Sequence, residues 1–405
     1  MHYLDNYLPA NIEHCRVWAR VDLSALIHNY VVSRDYIHTR NPDAVIISVI
    51  KANAYGHGIA PCARALYNAG CRHFAVACIE EGIAVRRALN ELDGSSALIL
   101  ILGYTAPAQA ALLQQYDLTQ TLFSAAYASE LHAAAKAAGV VLNVHVKLDT
   151  GMHRIGYPAF TEQEAAQTTD DVCALIDGCD AFCVQGLFTH LSDADSGDFC
   201  HEQRLRYKRI LQALRARGKC PAFCHVCNSP GSMRYPDTLL ASTRIGAFLF
   251  GVVSPVSPAL ARDPGCNLFP AEQIRPVMRL QTRIIHLHKA AAGEPVGYGA
   301  LCRSDHDRTI ATLSAGYGDG WLRAYAGSTV TVHTAQGDFQ APTVGRICMD
   351  LCMIDVTDIP CCTKDTVTLF GNDTQSLAEL ARHAGTIAYE IPCLVTARVP
   401  RIYHD

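Results

Sequence analysis

The chain has 405 residues, 50% of them hydrophobic and 18% charged, which is enough for two ordinary domains or for one large barrel with an appendage. The formal net charge of −4 gives no reason to expect binding to nucleic acids or to membrane surfaces. The N-terminal residues lack the basic stretch and apolar core of a signal peptide, and no apolar run approaches the length of a membrane span. We therefore expect a cytoplasmic protein.

The chain contains 18 cysteines, many of them inside apolar runs, where a thiol acts as a small hydrophobic group. Cys224 and Cys227 have C-x-x-C spacing, but no second pair completes a zinc-like site. The pattern predicts reduced, mostly buried thiols and no bound metal.

Short β-rich runs alternate with amphipathic helical stretches from about residue 17 to residue 251. The predicted strands cover residues 44–50, 73–78, 96–102, 118–123, 142–148, 183–188, 223–227 and 244–250. The predicted helices cover residues 60–69, 80–90, 107–115, 126–138 and 202–216. Strands that alternate with helices form parallel βα units, and eight such units predict a TIM (β/α)8 barrel, which we assign to residues 17–254.

The pattern changes after residue 253, where a proline-punctuated linker leads into mostly strand-like sequence. The strand-like runs are 277–287, 309–313, 329–333, 347–356, 366–369 and 394–402, with one clear helix at 376–384. This predicts a mostly β C-terminal domain over residues 255–405, a plausible size for one domain. We expect residues 1–16 to join that domain.

The first predicted barrel strand ends directly at Lys51. Burial at a strand end lowers the pKa of an ammonium group and yields the neutral amine that a Schiff-base lysine needs. The alternative is a lysine that caps the strand and extends its amine to solvent. Four further strand ends carry polar or cationic residues, at 147–154, 189–190, 228–229 and 244–246. Because barrel strand ends meet at one rim, these residues predict a site for an anionic ligand.

Individual residues at this rim can also be explained by a purely structural role, without a ligand. Ser229 is suited to contact a phosphate or to cap a helix, and His190 to stack on a flat ring or to fill the core. In the second domain, Tyr298 and Tyr317 each lie between glycines. Such glycines allow close backbone approach to a ligand, or they form tight β-turns with incidental tyrosines.

Residues 51–58 (KANAYGHG) resemble the pyridoxal-phosphate attachment motif of bacterial alanine racemases, a fold type III barrel family. Further motifs resemble the same family in the same order, at residues 147–154, 228–229, 244–246, 297–299, 316–321, 344–350 and 389–393. The resemblance therefore extends from the first barrel strand almost to the C-terminus.

The resemblance implies specific roles around pyridoxal 5'-phosphate. Lys51 would bind the cofactor covalently and act as one catalytic base, and Tyr298 would be the opposite base, supplied by the partner subunit of a head-to-tail homodimer. Arg244 would hydrogen bond to the pyridine nitrogen, with His190 against Arg244 and the ring. The residues that would hold the cofactor, mainly through its phosphate, are Tyr55, Asn228, Ser229, Gly246, Ala247 and Tyr389.

The same resemblance assigns residues around the substrate. Arg154 and the Met349 backbone would receive the substrate carboxylate, and Lys147 resembles a lysine that is carbamylated in many members and orients that arginine. The narrow entrance for substrate would involve Tyr317, Arg323, Arg346 and Asp195. Two positions depart from the family, because His153 stands where glycine is usual and Asp193 where a small residue is usual.

The implied reaction is the interconversion of L-alanine and D-alanine, with D-alanine supplied to peptidoglycan. Inversion of a carbon centre requires a base on each face, which a lysine and a tyrosine can provide. The runner-up is a serine or dual serine/alanine racemase, which tends to lack a tyrosine at the position of Tyr389. A pyridoxal-phosphate decarboxylase is less compatible with residues 296–299, and a non-catalytic cofactor carrier would lack the C-terminal domain.

Overall fold

The computed structural model describes residues 12–92, 96–194, 199–235, 238–252, 273–371 and 377–405. Strand β1 (Val17–Asp22) and helix α1 (Leu23–His38) come first, and Asp22 caps this helix because its carboxylate accepts from the Ala25 N–H at 2.8 Å. The following parallel strands are β2 (Val45–Val49), β3 (His73–Val76), β4 (Leu98–Ile101), β5 (Thr119–Leu122), β6 (Leu142–Asp149), β7 (Tyr157–Pro158), β8 (Phe182–Phe188), β9 (Phe223–His225) and β10 (Ser242–Ile245).

These strands form a closed barrel. Strands β2 to β6 and then β8 to β10 pair with one another in chain order, and β10 pairs back with β2 at Arg244 and Ile47. The two-residue strand β7 only extends the edge of β6. The predicted fold class is confirmed, because the eight barrel strands are the eight runs that the sequence predicted and all of their pairings are parallel.

Helices follow the barrel strands and cover the outside. They are α2 (Lys51–Tyr55), α3 (Ile59–Asn68), α4 (Ile79–Asn90), α5 (Ala110–Gln115), α6 (Ala125–Ala138), α7 (Glu162–Gly178), α8 (Phe199–Ala216) and α9 (Ser229–Arg234). The last barrel strand ends at Ile245, earlier than predicted, and is followed by a 3-10 turn at Ala247–Phe250. Helix α1 packs against this turn and against α3, so the N-terminal helix covers the barrel beside its last strand.

The C-terminal sheet is antiparallel except where its last strand joins. Its elements are β11 (Met278–Ala290), β12 (Arg308–Leu313), β13 (Thr329–Thr334), β14 (Gly337–Val344), β15 (Cys352–Asp355), β16 (Thr366–Phe370), α10 (Leu377–Ala384), α11 (Glu390–Cys393) and β17 (Arg401–His404). A register shift between Ile284 and His286 bends β11, so its two halves pair with different neighbours, β16 and β12. Strands β11 to β16 thereby close into a second, smaller barrel.

Strand β1 corrects the predicted start of the barrel at residue 17. It pairs with β11 on one side and with β17 on the other, so it is part of the C-terminal sheet. Arg16 reaches the same region, where it donates to the Ser314 carbonyl at 2.8 Å and to the Asp319 carboxylate. Residues 1–11 and the predicted boundary at residues 254–255 lie outside the described residues.

Smaller differences concern the C-terminal domain. Strand β14 was not predicted, because its exposed polar residues and Pro342 hide the strand pattern. The predicted strand at 394–402 is mostly irregular, and only Arg401–His404 forms a strand. The cysteines that the structure describes are all free thiols. Within the described ranges, no helix is both long and apolar enough to cross a bilayer, and no three potential ligand side chains cluster around a metal position.

Candidate active site

A cavity of about 530 Å³ opens where the barrel strands end. It collects predicted site residues from six separate stretches of the chain, including Tyr389 from the C-terminal domain. The predicted residues that line it are Lys51, Tyr55, Lys147, Arg154, His190, Asn228, Ser229, Arg244, Gly246, Ala247 and Tyr389. The prediction that the polar strand ends meet at one rim is therefore confirmed.

Lys51 begins a turn with unusual backbone geometry. Residues 52–55 all have φ between +51° and +55°, although none of them is glycine. A left-handed residue with a Cβ costs roughly 1–2 kcal/mol, so the surrounding contacts must hold this turn in place. The turn ends at Gly56, where φ is +84° and the backbone lies against Pro392 of α11.

The cavity is strongly cationic. Lys51, Lys147, Arg154 and Arg244 line it, and none of its lining residues within the described part of the chain is acidic. Burial lowers the pKa of the Lys51 amine, and the charge of Arg154 lowers it further. Burial together with Arg154 and Arg244 lowers the pKa of Lys147 to about 7. The cavity thus combines a readily deprotonated amine with a field that attracts anions.

Arg244 is held by a chain of hydrogen bonds inside the barrel. Its guanidinium donates to the carbonyls of Thr189 at 2.8 Å and Val226 at 2.9 Å, and Nη1 lies 2.5 Å from His225 Nδ1. A guanidinium only donates, so His225 Nδ1 accepts and the proton of His225 is on Nε2. That N–H points to Nδ1 of His145 at 3.2 Å. Burial lowers the pKa of both histidines, so both are neutral and Arg244 remains the charged member.

His190 lies on the cavity side of Arg244. Its Nδ1 is 3.3 Å from Arg244 Nη2 and accepts from it, and burial followed by the charge of Arg244 keeps the His190 pKa well below its usual value. Gln203 of α8 donates to the His190 carbonyl at 3.1 Å. His190 is therefore a neutral, fixed ring beside the guanidinium.

Gly246, Ser229 and Tyr55 together form another part of the cavity wall. The Gly246 N–H donates to Ser229 Oγ at 2.9 Å, and a Cβ on Gly246 would lie only 2.7 Å from Tyr55 Oη. Asn228 caps α9 through its contact with the Gly231 N–H at 3.0 Å. Glycine at 246 thus lets the Tyr55 hydroxyl lie close to the backbone of this part of the cavity wall.

Arg154 belongs to a loop organised by one buried carboxylate. Asp149 accepts the N–H groups of Gly151, Met152 and His153 at 2.9–3.0 Å on one oxygen and that of Arg154 at 3.0 Å on the other. His153 has φ +50° in this loop, a conformation that suits the glycine usual in the resembled family. Its ring stacks on Phe160 at 4.4 Å, which compensates part of that strain.

Tyr298 and Met349 lie elsewhere. They line a second cavity of about 600 Å³ on the C-terminal domain, together with Gly297, Cys348 and Asp350. The Tyr298 side chain is 68% exposed and that of Met349 54%. Within one chain, the described residues therefore place the two predicted bases in different cavities.

Tyr317, Arg323 and Arg346, three of the four predicted entrance residues, lie next to residues that line this second cavity. The Tyr317 and Gly318 N–H groups donate to the carbonyls of Cys348 and Met349 at 3.0 and 2.9 Å, which joins two motif loops into one surface. Arg346 precedes the same stretch and Arg323 acts on the Cys348 thiol electrostatically. Asp195 lies outside the described residues. Asp193 is exposed and interacts with Cys200 of α8.

Comparison with known proteins identifies the family. The N-terminal domain family of alanine racemases matches residues 21–255, and the C-terminal domain family of alanine racemases matches residues 277–403. The chain belongs to the alanine racemase family.

Individual members of the alanine racemase family match over nearly the whole chain. Alanine racemase from Desulfovibrio desulfuricans is 36% identical over 390 residues, covering 96% of this chain and 98% of the relative. Among solved structures, alanine racemase from Clostridium difficile 630 has a TM-score of 0.83 at 31% identity, covering 96% of each chain. Alanine racemase from Bacillus anthracis with bound L-Ala-P has a TM-score of 0.81 at 30% identity, covering 97% of this chain and 96% of that chain.

Several supporting residues of this alanine racemase family site were not predicted from the sequence. They act on the backbone or on other side chains, and they are Glu81, Asp149, His145 and His225. Three of them could have been found from their position in the sequence, since Asp149 lies within the predicted motif 147–154 and both histidines lie in predicted barrel strands. Glu81 gave no such signal, because it lies one helix turn beyond a strand end.

Proposed function

We propose that this protein interconverts L-alanine and D-alanine, using pyridoxal phosphate attached to Lys51. The observation that carries the proposal is the cationic cavity, in which the Lys51 amine, Arg154 and Arg244 share one space lined by no acidic residue of the described chain. An anionic cofactor and a substrate carboxylate both suit such a cavity. The membership of the alanine racemase family supports the same reaction.

The residues present fit pyridoxal phosphate. The part of the cavity wall formed by Gly246, Ser229, Ala247, Tyr55 and Tyr389 supplies small residues and hydroxyl groups, which suit a phosphate group. Arg244 would donate to the pyridine nitrogen, and its own hydrogen bonds keep the guanidinium fixed. When bound, pyridoxal phosphate withdraws electrons from an attached amino acid and makes its α-proton removable near neutral pH.

Two bases of this chain would move that proton. Burial favours the neutral form of the Lys51 amine, so it can accept the α-proton on one face. Tyr298 would act on the other face, and its exposure on a separate cavity supports a second copy of the chain as its source. We therefore propose a homodimer in which Tyr298 and Met349 of one subunit complete the cavity of the other.

The substrate carboxylate would bind Arg154, whose loop Asp149 holds in place. Lys147 would carry a carbamate, whose negative charge would orient Arg154 within the cationic cavity. The D-alanine formed would supply peptidoglycan. Tyr389 in the cavity and the alanine-specific names of the relatives described above favour alanine over serine.

Product analysis tests the proposal. The purified protein is incubated with pyridoxal phosphate and L-alanine, L-serine or L-arginine, and the products are separated by chiral chromatography. We expect D-alanine as the main product, and no product from Lys51→Ala. Failure to form D-alanine would overturn the proposal, and an excess of D-serine would establish the serine racemase alternative.

A further inference from the structure

Glu81 lies in the first turn of α4 and is not part of the cavity lining. Its two carboxylate oxygens contact different strand ends of the barrel rim. Oε1 accepts the N–H of Asn53 at 3.0 Å, and Oε2 accepts the N–H of Ala77 at 2.9 Å. Asn53 is the second residue after Lys51, and Ala77 follows β3 and lines the cavity. One side chain thus connects the Lys51 turn to the neighbouring strand.

Asn53 is the centre of the left-handed turn. Its side-chain Oδ1 accepts the Ile59 N–H at 2.8 Å, and its carbonyl accepts the Gly58 N–H at 2.9 Å. These two bonds close the turn onto the start of α3. The Asn53 N–H is donated to Glu81, so this carboxylate is the contact that fastens the turn to the barrel rim outside its own segment.

We propose that Glu81 is the positioning residue of this site, since it holds the left-handed turn that directs the Lys51 amine into the cavity and places a negative charge near that amine. The inference rests on the role of Lys51 proposed above. Glu81 is not a catalytic residue, because it lines no part of the cavity that would hold cofactor and substrate.

The charge of Glu81 has a separate effect from its hydrogen bonds. Burial, Arg154 and Arg244 lower the pKa of Lys51, whereas Glu81 and, to a smaller extent, Cys393 raise it. Removal of the charge therefore lowers the Lys51 pKa further, while removal of one hydrogen bond alone leaves the pKa nearly unchanged. The two effects can be measured with different variants.

Glu81→Gln removes the negative charge. It also replaces one accepting oxygen by an amide N–H group, which cannot accept from a backbone N–H. Glu81→Asp keeps the charge but is one methylene too short to reach both Asn53 and Ala77. Glu80→Gln is the matched control, because Glu80 is an exposed neighbour in the same helix turn. Thermal melts of all three variants verify that they are folded.

The measurement is the pH dependence of covalent attachment of pyridoxal phosphate to Lys51, trapped by borohydride reduction and located by mass spectrometry. We expect Glu81→Gln to lower the pH midpoint by up to about one unit, and Glu81→Asp to leave it unchanged. We expect both to reduce kcat roughly 10- to 100-fold with a smaller change in KM, because the amine is misdirected.

Unchanged midpoint and kcat in both variants, relative to Glu80→Gln, would overturn the inference. If kcat fell but the pH midpoint were equal in all variants, the proposed effect of the Glu81 charge would be overturned. The proposed effect of its hydrogen bonds on the Lys51 turn would remain. Failure of the proposed function would have a different result, because the wild-type protein itself would then form no D-alanine.

Discussion

Lys147 is a buried cation of the cavity, only 4% exposed, and its amine lies 5.8 Å from the Phe188 ring centroid. An exposed lysine has a pKa of about 10.4, whereas burial and the charges of Arg154 and Arg244 lower that of Lys147 to about 7. Half of this amine is therefore neutral near physiological pH. Only the neutral amine attacks carbon dioxide, in a reaction that forms a carbamate and releases one proton.

We predict that Lys147 forms a carbamate whose amount rises with pH through about 7, because the pKa of the amine is about 7. Carbon-13 NMR of the protein in labelled bicarbonate measures the carbamate signal directly. Lys147→Arg is the control, since it keeps the charge but cannot react. A signal that persists in the control, or that appears only near the pKa of an exposed lysine, would contradict the prediction.

The residues that we propose to contact cofactor or substrate could be predicted from the sequence, whereas the residues that hold them in place were not predicted. Lys51, Arg154 and Arg244 stand at strand ends, where the sequence pattern alone indicates a rim. The partners of Asp149 and Glu81 are backbone N–H groups, which every residue except proline carries and which therefore leave no mark in the sequence. Their function depends on a loop geometry that only the folded chain has.

Helix α11 connects the C-terminal domain to the Lys51 turn. Gly56 lies against Pro392, and Arg401 donates through Nε to the Gly56 carbonyl at 3.0 Å. The other donors of Arg401 bind the carbonyls of Val395, Thr396 and Val399 at 2.6–2.8 Å. Residues near the C-terminus therefore fix the end of the turn that begins at Lys51.

We predict that Gly56→Ala destabilises the protein by at least about 3 kcal/mol and weakens binding of pyridoxal phosphate. Gly56 has φ +84°, and a Cβ there would lie 1.9 Å from the Pro392 carbonyl oxygen. Gly70→Ala is the matched control, since Gly70 has φ +97° but no atom within 4 Å of an added Cβ. The control should lose only about 1 kcal/mol.

Urea unfolding measures both stabilities, and titration with pyridoxal phosphate measures the dissociation constants. Equal losses of stability in the two variants would show that the contact with Pro392 contributes nothing.

Elements with strong local patterns were predictable, and elements defined by distant partners were not. The barrel strands are apolar runs between helices, so their number and order follow from the sequence. Strand β1 was not among the predicted strands, and its pairing partners begin at Met278 and Arg401, a distance over which hydrophobic periodicity carries no information.

At the scale of the whole molecule, the predicted site residues are divided between two cavities. The barrel cavity holds Lys51 and Arg154, and the cavity on the C-terminal domain holds Tyr298 and Met349. In a symmetric dimer, contact between unlike surfaces of two copies would occur twice and would generate two complete sites.

We predict that hybrid dimers of Lys51→Ala and Tyr298→Phe chains regain activity. Each hybrid would contain one site with both bases intact, so about half of the wild-type activity per dimer is expected. The two chains are co-expressed with different affinity tags, and the hybrid is purified by using both tags in sequence.

The matched control combines Lys51→Ala with Arg154→Ala, because both residues line the same cavity and no site in that hybrid is intact. If Tyr298 acted within its own chain, the first hybrid would remain as inactive as the control.

The position of β1 also affects the order in which the chain can fold during synthesis. Val17 pairs with Thr282, and Ala19 with Arg401, so both neighbours of the first strand are translated long after it. At about 5–20 residues per second, this strand leaves the ribosome tens of seconds before its partners. The barrel strands can pair during that interval, since all of them are translated before β11 and, apart from the closing pair β2 and β10, their partners follow closely in the chain. The nascent chain therefore carries β1 as an unpaired strand until β11 has been translated, and one edge of β1 stays open until Arg401–His404 follows at the end of the chain.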